Sequence, residues 1–258
     1  MKTLIGDIGN TNTKICLIEF NTYKIKKIIY FNSINISSQN FLKKTIKKII
    51  KNNKINHIAL FSSVVPKYQF ILKKFLKKFY KIKLIEIKDK NIKKIIKINI
   101  KNKKQVGSDR IANAVGVFKQ YKSNCIVLDF GTATTFDVVT KGGIYNGGII
   151  APGVSLSLKS LSKSADQIPI FFLKKQKKII GKNTIEALRS GFYWGYIGLI
   201  NSIIMKIEKE TKKKYKIIFT GGYANLFKTS IKKLFKIDKN ITIKGIIEIF
   251  KENKKILS

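Results

Sequence analysis

The sequence predicts an α/β protein built from two similar halves. Three observations carry that expectation. The stretch Asp7-Ile-Gly-Asn-Thr-Asn-Thr13 joins two apolar, β-prone flanks, Thr3-Leu-Ile5 and Lys14 to Phe20, as the tight turn of a strand-turn-strand unit. A second copy, Asp129-Phe-Gly-Thr-Ala-Thr-Thr135, stands 122 residues later between Cys125 to Leu128 and Phe136 to Val139. Asp, Gly and a polar run ending in Thr align between the copies without a gap. The remaining chain alternates strand-like runs with amphipathic helical spacing, the pattern of helices packed on a sheet. At 258 residues, the length suits one large domain or two of about 120.

The turns also carry chemistry. A turn needs Gly and Asn for backbone freedom, but it does not need Asp and hydroxyls. Those groups suit a phosphate site. Gly9 lets backbone N–H groups approach an anion, Asn10 and Thr11 can donate to its oxygens, and Asp7 can hold Mg²⁺ directly or through water. One such turn is explained equally well as an Asx-capped hairpin. Two copies point to duplicated domains facing one nucleotide.

In chain order, a third strand over Lys24 to Phe31 completes a first meander. Gln39 to Lys51 is helical, with Leu42, Ile46, Ile49 and Ile50 opposite lysines. His57 to Phe61 reads as a strand, followed by Ser62-Ser63-Val-Val-Pro66. A helix follows with Ile71, Leu72, Phe75, Leu76, Phe79 and Tyr80 on one face, then a strand over Lys83 to Ile87. Ile95 to Ile100 is a candidate strand. Gln105-Val-Gly107-Ser108-Asp109-Arg110 opens a helix through Tyr121, with Ser108 as N-cap and Asp109 favouring the helix dipole. Capping does not explain an arginine there in a chain that has only Arg110 and Arg189. A carboxylate and a guanidinium at a helix start can take a hydroxyl proton and pair with a substrate anion.

The second half repeats the plan with strands over 125–129, 135–140 and 144–151, and a helix from Val154. Asn183 caps a long helix reaching Glu210, with Glu186 completing a capping box. Tyr215 to Thr220 is a strand ending in Gly221-Gly222, a turn that suits either close approach of adenosine or plain strand-to-helix geometry. A helix with Leu226, Phe227, Ile231, Leu234 and Phe235 is expected after it.

The formal charge of +39 raises nucleic-acid binding as a function. Yet 51 of the 53 basic residues are lysines, whereas base readout favours the arginine fork. The lysines run along the whole chain with an excess of Ile and Asn, so drift in an A/T-rich genome explains all three. No specific nucleic acid is expected. The longest uncharged run, Gly142 to Leu158, holds five glycines and Pro152 and makes a poor membrane span. No signal-peptide h-region opens the chain, and Cys16 and Cys125 lie in apolar strands as reduced core thiols. A cytoplasmic protein without a membrane partner is expected. His57, the only histidine, reads as a surface residue.

The chain resembles the type III pantothenate kinases, of the actin-like and sugar-kinase superfamily. The likeness rests on Asp7-Ile-Gly-Asn-Thr11, Ser62-Ser-Val-Val-Pro66, Gly107-Ser-Asp-Arg110, Asp129 to Thr135, Gly142-Gly, Gly148 to Gly153, Asn183-Thr184 and Thr220-Gly-Gly222, in that order and spacing. The resemblance implies two ribonuclease-H-like domains, residues 1–115 and 116–258, each with a mixed five-stranded sheet flanked by helices. It implies ATP-dependent phosphorylation of pantothenate to 4'-phosphopantothenate, the first step of coenzyme A synthesis. It carries ATP binding onto Asp7, Ile8, Gly9, Asn10, Thr11, Asn12, Thr13, Lys14 and Thr132, with Asp7 near Mg²⁺. Pantothenate binding falls on Gly107, Ser108, Asp109, Arg110 and Thr184, with Asp109 as proton acceptor. Asp129 would hold a monovalent cation, K⁺ or NH₄⁺, and a homodimer would complete the site. Ser108 stands where the family often has Ala, and Ile100 where it usually has a substrate-contacting Tyr.

Overall fold

The computed structural model describes residues 1–164, 168–169, 171–228 and 235–257. The chain divides into two compact units. The first takes 1–121, 142–145 and 240–258, and the second takes 122–141 and 146–239.

The first unit opens with the expected meander: β1 (Lys2–Ile8), β2 (Asn12–Glu19) and β3 (Ile25–Asn32), all antiparallel. A 3₁₀ turn, Ser33–Ser37, leads into α1 (Gln39–Ile50), whose N-cap Ser38 accepts from the Phe41 N–H. β4 (Ile58–Ser63), α2 (Pro66–Tyr80) and β5 (Lys83–Glu86) follow, giving the sheet order β3-β2-β1-β4-β5 with β4 and β5 parallel to β1. Leu4, Ile8, Ile15 and Phe61 form a core with Leu42, Ile46, Leu72 and Leu76 of the two helices. Phe79, expected on the buried face of α2, is 38 % exposed instead, with the Lys43 ammonium 4.9 Å from its ring centre.

β6 (Lys97–Ile98) is shorter than the expected strand and pairs with Ile144 and Tyr145. A short 3₁₀ turn, Lys103–Gln105, precedes α3 (Ser108–Tyr121).

The second unit repeats the plan. β7 (Cys125–Phe130) is antiparallel to β8 (Ala133–Val139), and β9 (Ile144–Pro152), whose first two residues belong to the first unit, lies next to β8. After α4 (Val154–Ser164) and α5 (Thr184–Thr211), β10 (Lys216–Gly221) and β11 (Phe235–Ile237) run parallel to β7. The order β9-β8-β7-β10-β11 repeats the first sheet strand for strand, and β6 adds a sixth, two-residue strand at the β9 edge. The expected pair of mixed, helix-flanked sheets is present. The two turns differ by one residue: Ile8 pairs with Thr13, whereas Phe130 pairs with Thr134, so the second loop is tighter than a gapless alignment suggests.

Two expectations fail. No helix forms over 223–228, which are turns, and Phe235 sits in β11. Ile231 and Leu234 lie outside the described residues. The spacing of Leu226 and Phe227 looked helical because Phe227 is fully buried against Phe130, Tyr193 and Tyr196, a core anchor and not part of a helical stripe. Conversely α6 (Ile241–Glu252), not expected, packs closely on α3 in the first unit, followed by the short α7 (Lys254–Leu257). Gly116 and Gly245 permit this: a Cβ on Gly245 would stand 1.8 Å from the Ala112 carbonyl oxygen, and one on Gly116 2.5 Å from that of Ile241. Cys16 and Cys125 are buried free thiols, and burial pushes the Cys16 thiol up to about 12. No described helix is long and apolar enough to cross a membrane.

Candidate active site

In the first unit the end of β4 organises the chemistry. Asp7, 8 % exposed at the end of β1, lies beside Ser62, whose hydroxyl donates to Asp7 Oδ1 at 2.8 Å. The next residue offers its backbone: the Ser108 hydroxyl donates to the Ser63 carbonyl at 3.0 Å. One strand end therefore holds both the first turn and the start of α3. Ser62 and Ser63 belong to a stretch that carries the resemblance, but their partners are fixed by strand register and are not read from the sequence.

The turn after Asp7 is locked from below. The Gly9 N–H reaches the Asn12 carbonyl at 3.1 Å, and the Ser33 hydroxyl donates to the Gly9 carbonyl at 2.6 Å. Thr13 Oγ1 lies 2.8 Å from Ser33 Oγ. Among the expected ATP-contacting residues, Asn10, Thr11 and Asn12 are exposed at the tip, Gly9 and Lys14 are half-buried, and Ile8 and Thr13 are buried. Ile8 belongs to the core and Thr13 spends its hydroxyl on Ser33, so these two have only backbone to offer. Ser33 was not singled out from the sequence.

At α3, Ser108 does not cap. The Gly107 carbonyl accepts from the Ile111 N–H, placing Gly107 at the cap position, and Ser108 is buried. Asp109 Oδ1 accepts from the Arg110 N–H at 2.8 Å and folds back over Gly107, where a Cβ would meet it at 2.5 Å. Glycine at 107 thus makes room for the carboxylate. The Arg110 guanidinium carbon stands 5.8 Å from the Tyr145 ring centre, within cation–π range. Burial pushes the nearby Glu86 carboxyl up, against the Ser108 hydroxyl and the Lys88 N–H and charge pulling it down.

In the second unit Asp129 pairs across the sheet with Thr135 and Thr220, so the three side chains share one face. Gly221 has φ +84°, and a Cβ there would lie 2.6 Å from the Phe130 amide and 2.7 Å from Asp129 Oδ1. That close approach accounts for the first glycine of the Gly-Gly turn. Thr132, at the exposed tip of the second turn, is backed by Gly153, whose Cβ would fall 2.0 Å from the Thr132 carbonyl oxygen. Thr220 Oγ1 is buried with no hydrogen-bond partner, beside Asp129.

Thr184, the first residue of α5, is exposed behind the expected cap. Asn183 Oδ1 accepts from the Glu186 N–H at 2.9 Å, and Glu186 Oε2 accepts from the Lys182 N–H at 2.9 Å. Beside it runs an open groove of about 940 Å³ lined by Pro152, Ser157, Thr184, Leu188, Phe192 and Tyr196, among others. The Tyr196 hydroxyl donates to the Pro152 carbonyl at 2.9 Å.

Residues 3–206 match the family model of type III pantothenate kinase. The chain belongs to that family. A type III pantothenate kinase from Pelagibacter ubique is 53 % identical over 95 % of this chain and 96 % of its own length. One from Koribacter versatilis is 32 % identical over 97 % and 96 %. Among solved structures, a Campylobacter jejuni protein described as a Baf family transcriptional activator aligns with TM-score 0.64 at 24 % identity, covering 98 % of this chain and 99 % of that one. The ADPNP-bound activator of 2-hydroxyisocaproyl-CoA dehydratase from Clostridium difficile aligns with TM-score 0.57 at 12 % identity, covering 99 % and 97 %. These likenesses establish the actin-like fold of the family.

Kinases of this family use ATP and a divalent cation. The donor set fits that use. Mg²⁺ at nucleotides is held by one or two carboxylates, with phosphates and water supplying the rest. Asp7, whose Oδ1 accepts from the Ser62 hydroxyl at 2.8 Å, is a carboxylate that could serve there.

Proposed function

We propose that this chain transfers the γ-phosphoryl group of ATP to the primary hydroxyl of pantothenate, giving 4'-phosphopantothenate and ADP. The observation that carries the reading is the shared anchor at the end of β4, where Ser62 holds Asp7 and Ser63 holds Ser108, the neighbour of Asp109. A phosphate-site carboxylate and a proton-acceptor carboxylate are thereby built on one rigid strand end. Phosphoryl transfer asks mainly for such positioning and for charge stabilisation.

Asp7, Ile8, Gly9, Asn10, Thr11, Asn12, Thr13 and Lys14 bind ATP together with Thr132. Gly107, Ser108, Asp109, Arg110 and Thr184 bind pantothenate, with Arg110 pairing its carboxylate. Asp109 accepts the hydroxyl proton as the new oxygen–phosphorus bond forms and the bond from the γ-phosphorus to the β,γ-bridging oxygen breaks. Bound cations offset charge on the phosphates, Mg²⁺ beside Asp7 and K⁺ or NH₄⁺ at Asp129. The buried Thr220 hydroxyl and the approach of Gly221 to Asp129 support a cation there. The protein works in the cytoplasm as a homodimer, without a specific nucleic-acid or membrane partner.

An ATP-consumption assay run with and without pantothenate tests the reading. Turnover is expected only with pantothenate, to collapse when sodium is the sole monovalent cation, and to return with potassium. Pantothenate-independent turnover would overturn the acceptor, and equal rates in sodium and potassium would overturn the cation assignment at Asp129.

A further inference from the structure

Lys88 stands just past β5, outside every motif singled out in the sequence. Its ammonium donates to two backbone carbonyls, those of Lys104 and Val106, at 2.9 Å each. Those carbonyls flank Gln105 in the segment that delivers Gly107. Val106 is itself buried, 3 % exposed, so the segment is held by its apolar side chain and by a cation on its carbonyl side. The base of Lys88 is fixed as well. Its backbone N–H donates to Glu86 Oε2 at 2.6 Å, and the Ile87 N–H between them donates to the Phe61 carbonyl of β4 at 2.9 Å.

The acceptor segment is thus tied on both sides of Gly107. Lys88, at the end of β5, grips residues 104 and 106, and Ser63, at the end of β4, receives the hydroxyl of Ser108. β4 and β5 are adjacent and in register, with Phe61 opposite Glu86, so the two ties issue from one platform. Lysine suits this task. Its ammonium carries three donors on a flexible stem, and hydrogen bonds from a charged donor are stronger than neutral ones.

We propose that Lys88 is a positioning residue for the acceptor site: by clamping the carbonyls of Lys104 and Val106 it fixes where Asp109 and Arg110 stand. The inference rests on the reading of Gly107 to Arg110 as the pantothenate site. The hydrogen bonds of Lys88 among the described residues go to Glu86, Lys104 and Val106, so its effect is expected at the acceptor.

Lys88→Met keeps the length of the stem and removes the charge, while Lys88→Arg restores a cation with several donors. A misplacement of about 1 Å at a reacting group costs up to about a hundredfold in rate. Lys88→Met is expected to lower kcat/KM for pantothenate by about tenfold to a hundredfold while KM for ATP moves less than about twofold. Lys88→Arg is expected to recover most of the loss. Amide exchange at Val106 to Ser108 should quicken in the Met variant and not in the Arg variant. Unchanged pantothenate kinetics, or equal losses toward both substrates, would overturn the proposal. So would a failure of Lys88→Met to fold combined with wild-type pantothenate kinetics in a second loosening variant, Lys88→Gln. Should the wild-type protein show no pantothenate-dependent turnover, the acceptor reading itself falls. The exchange rates at residues 106–108 then still decide whether Lys88 clamps the segment.

Discussion

Asp109 and Asp7 are both carboxylates at the end of a tight backbone feature, yet their surroundings give them different work. Asp109 bends back over Gly107 and takes the Arg110 N–H, whereas Asp7 is buried and holds the Ser62 hydroxyl. Replacing Asp109 by Asn keeps the size and the acceptor oxygen but removes the proton acceptor. Loss of a general base costs about 10² to 10⁴ in rate, and the late proton departure of a loose phosphoryl transition state favours the lower end. Mg-ATP affinity should hold in Asp109→Asn and fall in Asp7→Asn, where charge beside the metal is lost. Calorimetry of Mg-ATP binding paired with turnover checks both; Asp109→Asn with weakened ATP binding and near-normal turnover would contradict the assignment. These aspartates were legible in the sequence because the chain has only seven, and three of them sit by glycines in turn-like stretches. Ser33 and Lys88 were not, because each acts on a partner distant in the chain: Gly9, and the carbonyls of Lys104 and Val106. Ser62 belongs to a legible motif, but its bond to Asp7 follows from strand register.

At the scale of elements, what local chemistry specifies was readable. The hairpins around Asp7 and Asp129, the lysine-backed α1 and the capped start of α5 follow from turn residues, spacing and Asn183. α6 is not marked at its start: Asn240 makes no side-chain cap hydrogen bond and no acidic residue stands in the first turn. β11 was hidden in a false helical pattern, since Phe227 is buried by aromatic stacking from distant residues. The cap of α5 yields a prediction. Asn183→Ala removes the acceptor for the Glu186 N–H and should destabilise the protein by about 1 kcal/mol. It should also fray the turn carrying Thr184 and raise KM for pantothenate more than KM for ATP. Thermal unfolding with two-substrate kinetics reads both, and unchanged values in each would show that the cap serves neither purpose.

For the whole molecule, the duplication was legible but the return of residues 142–145 and 240–258 to the first unit was not, because nothing local marks a long-range contact. The charge of +39 belongs to this scale too. If it reflects codon drift, duplex DNA should bind no tighter than about 10⁻⁶ M at physiological salt and without sequence preference. Salt-resistant, sequence-selective binding in a titration would revive nucleic-acid binding as a function.

Assembly is the remaining question at that scale, and α5 frames it. Segment 171–180 runs along this helix, tied by Arg189 to the Phe172 carbonyl at 3.1 Å, by Ser190 to the Ile179 carbonyl and by Trp194 to the Lys178 carbonyl at 3.3 Å. It nevertheless leaves Phe172, Ile179 and Ile180 exposed by 76 %, 69 % and 71 %. Gly191, Gly195 and Gly198 sit on α5 with nothing within 4 Å of where a Cβ would be. Apolar surface gathered beside bare helix backbone is what a partner covers, and a self-complementary patch closes into a two-fold dimer. Gly195→Arg separates folding from assembly, because the open space around Gly195 accommodates a side chain within one chain. The wild-type protein should sediment at twice the chain mass. The variant should sediment at the chain mass, with a melting temperature close to wild type. A wild-type protein that is fully active as a monomer at assay concentration would refute the dimer. A Gly195→Arg protein that stays dimeric would move the interface off α5.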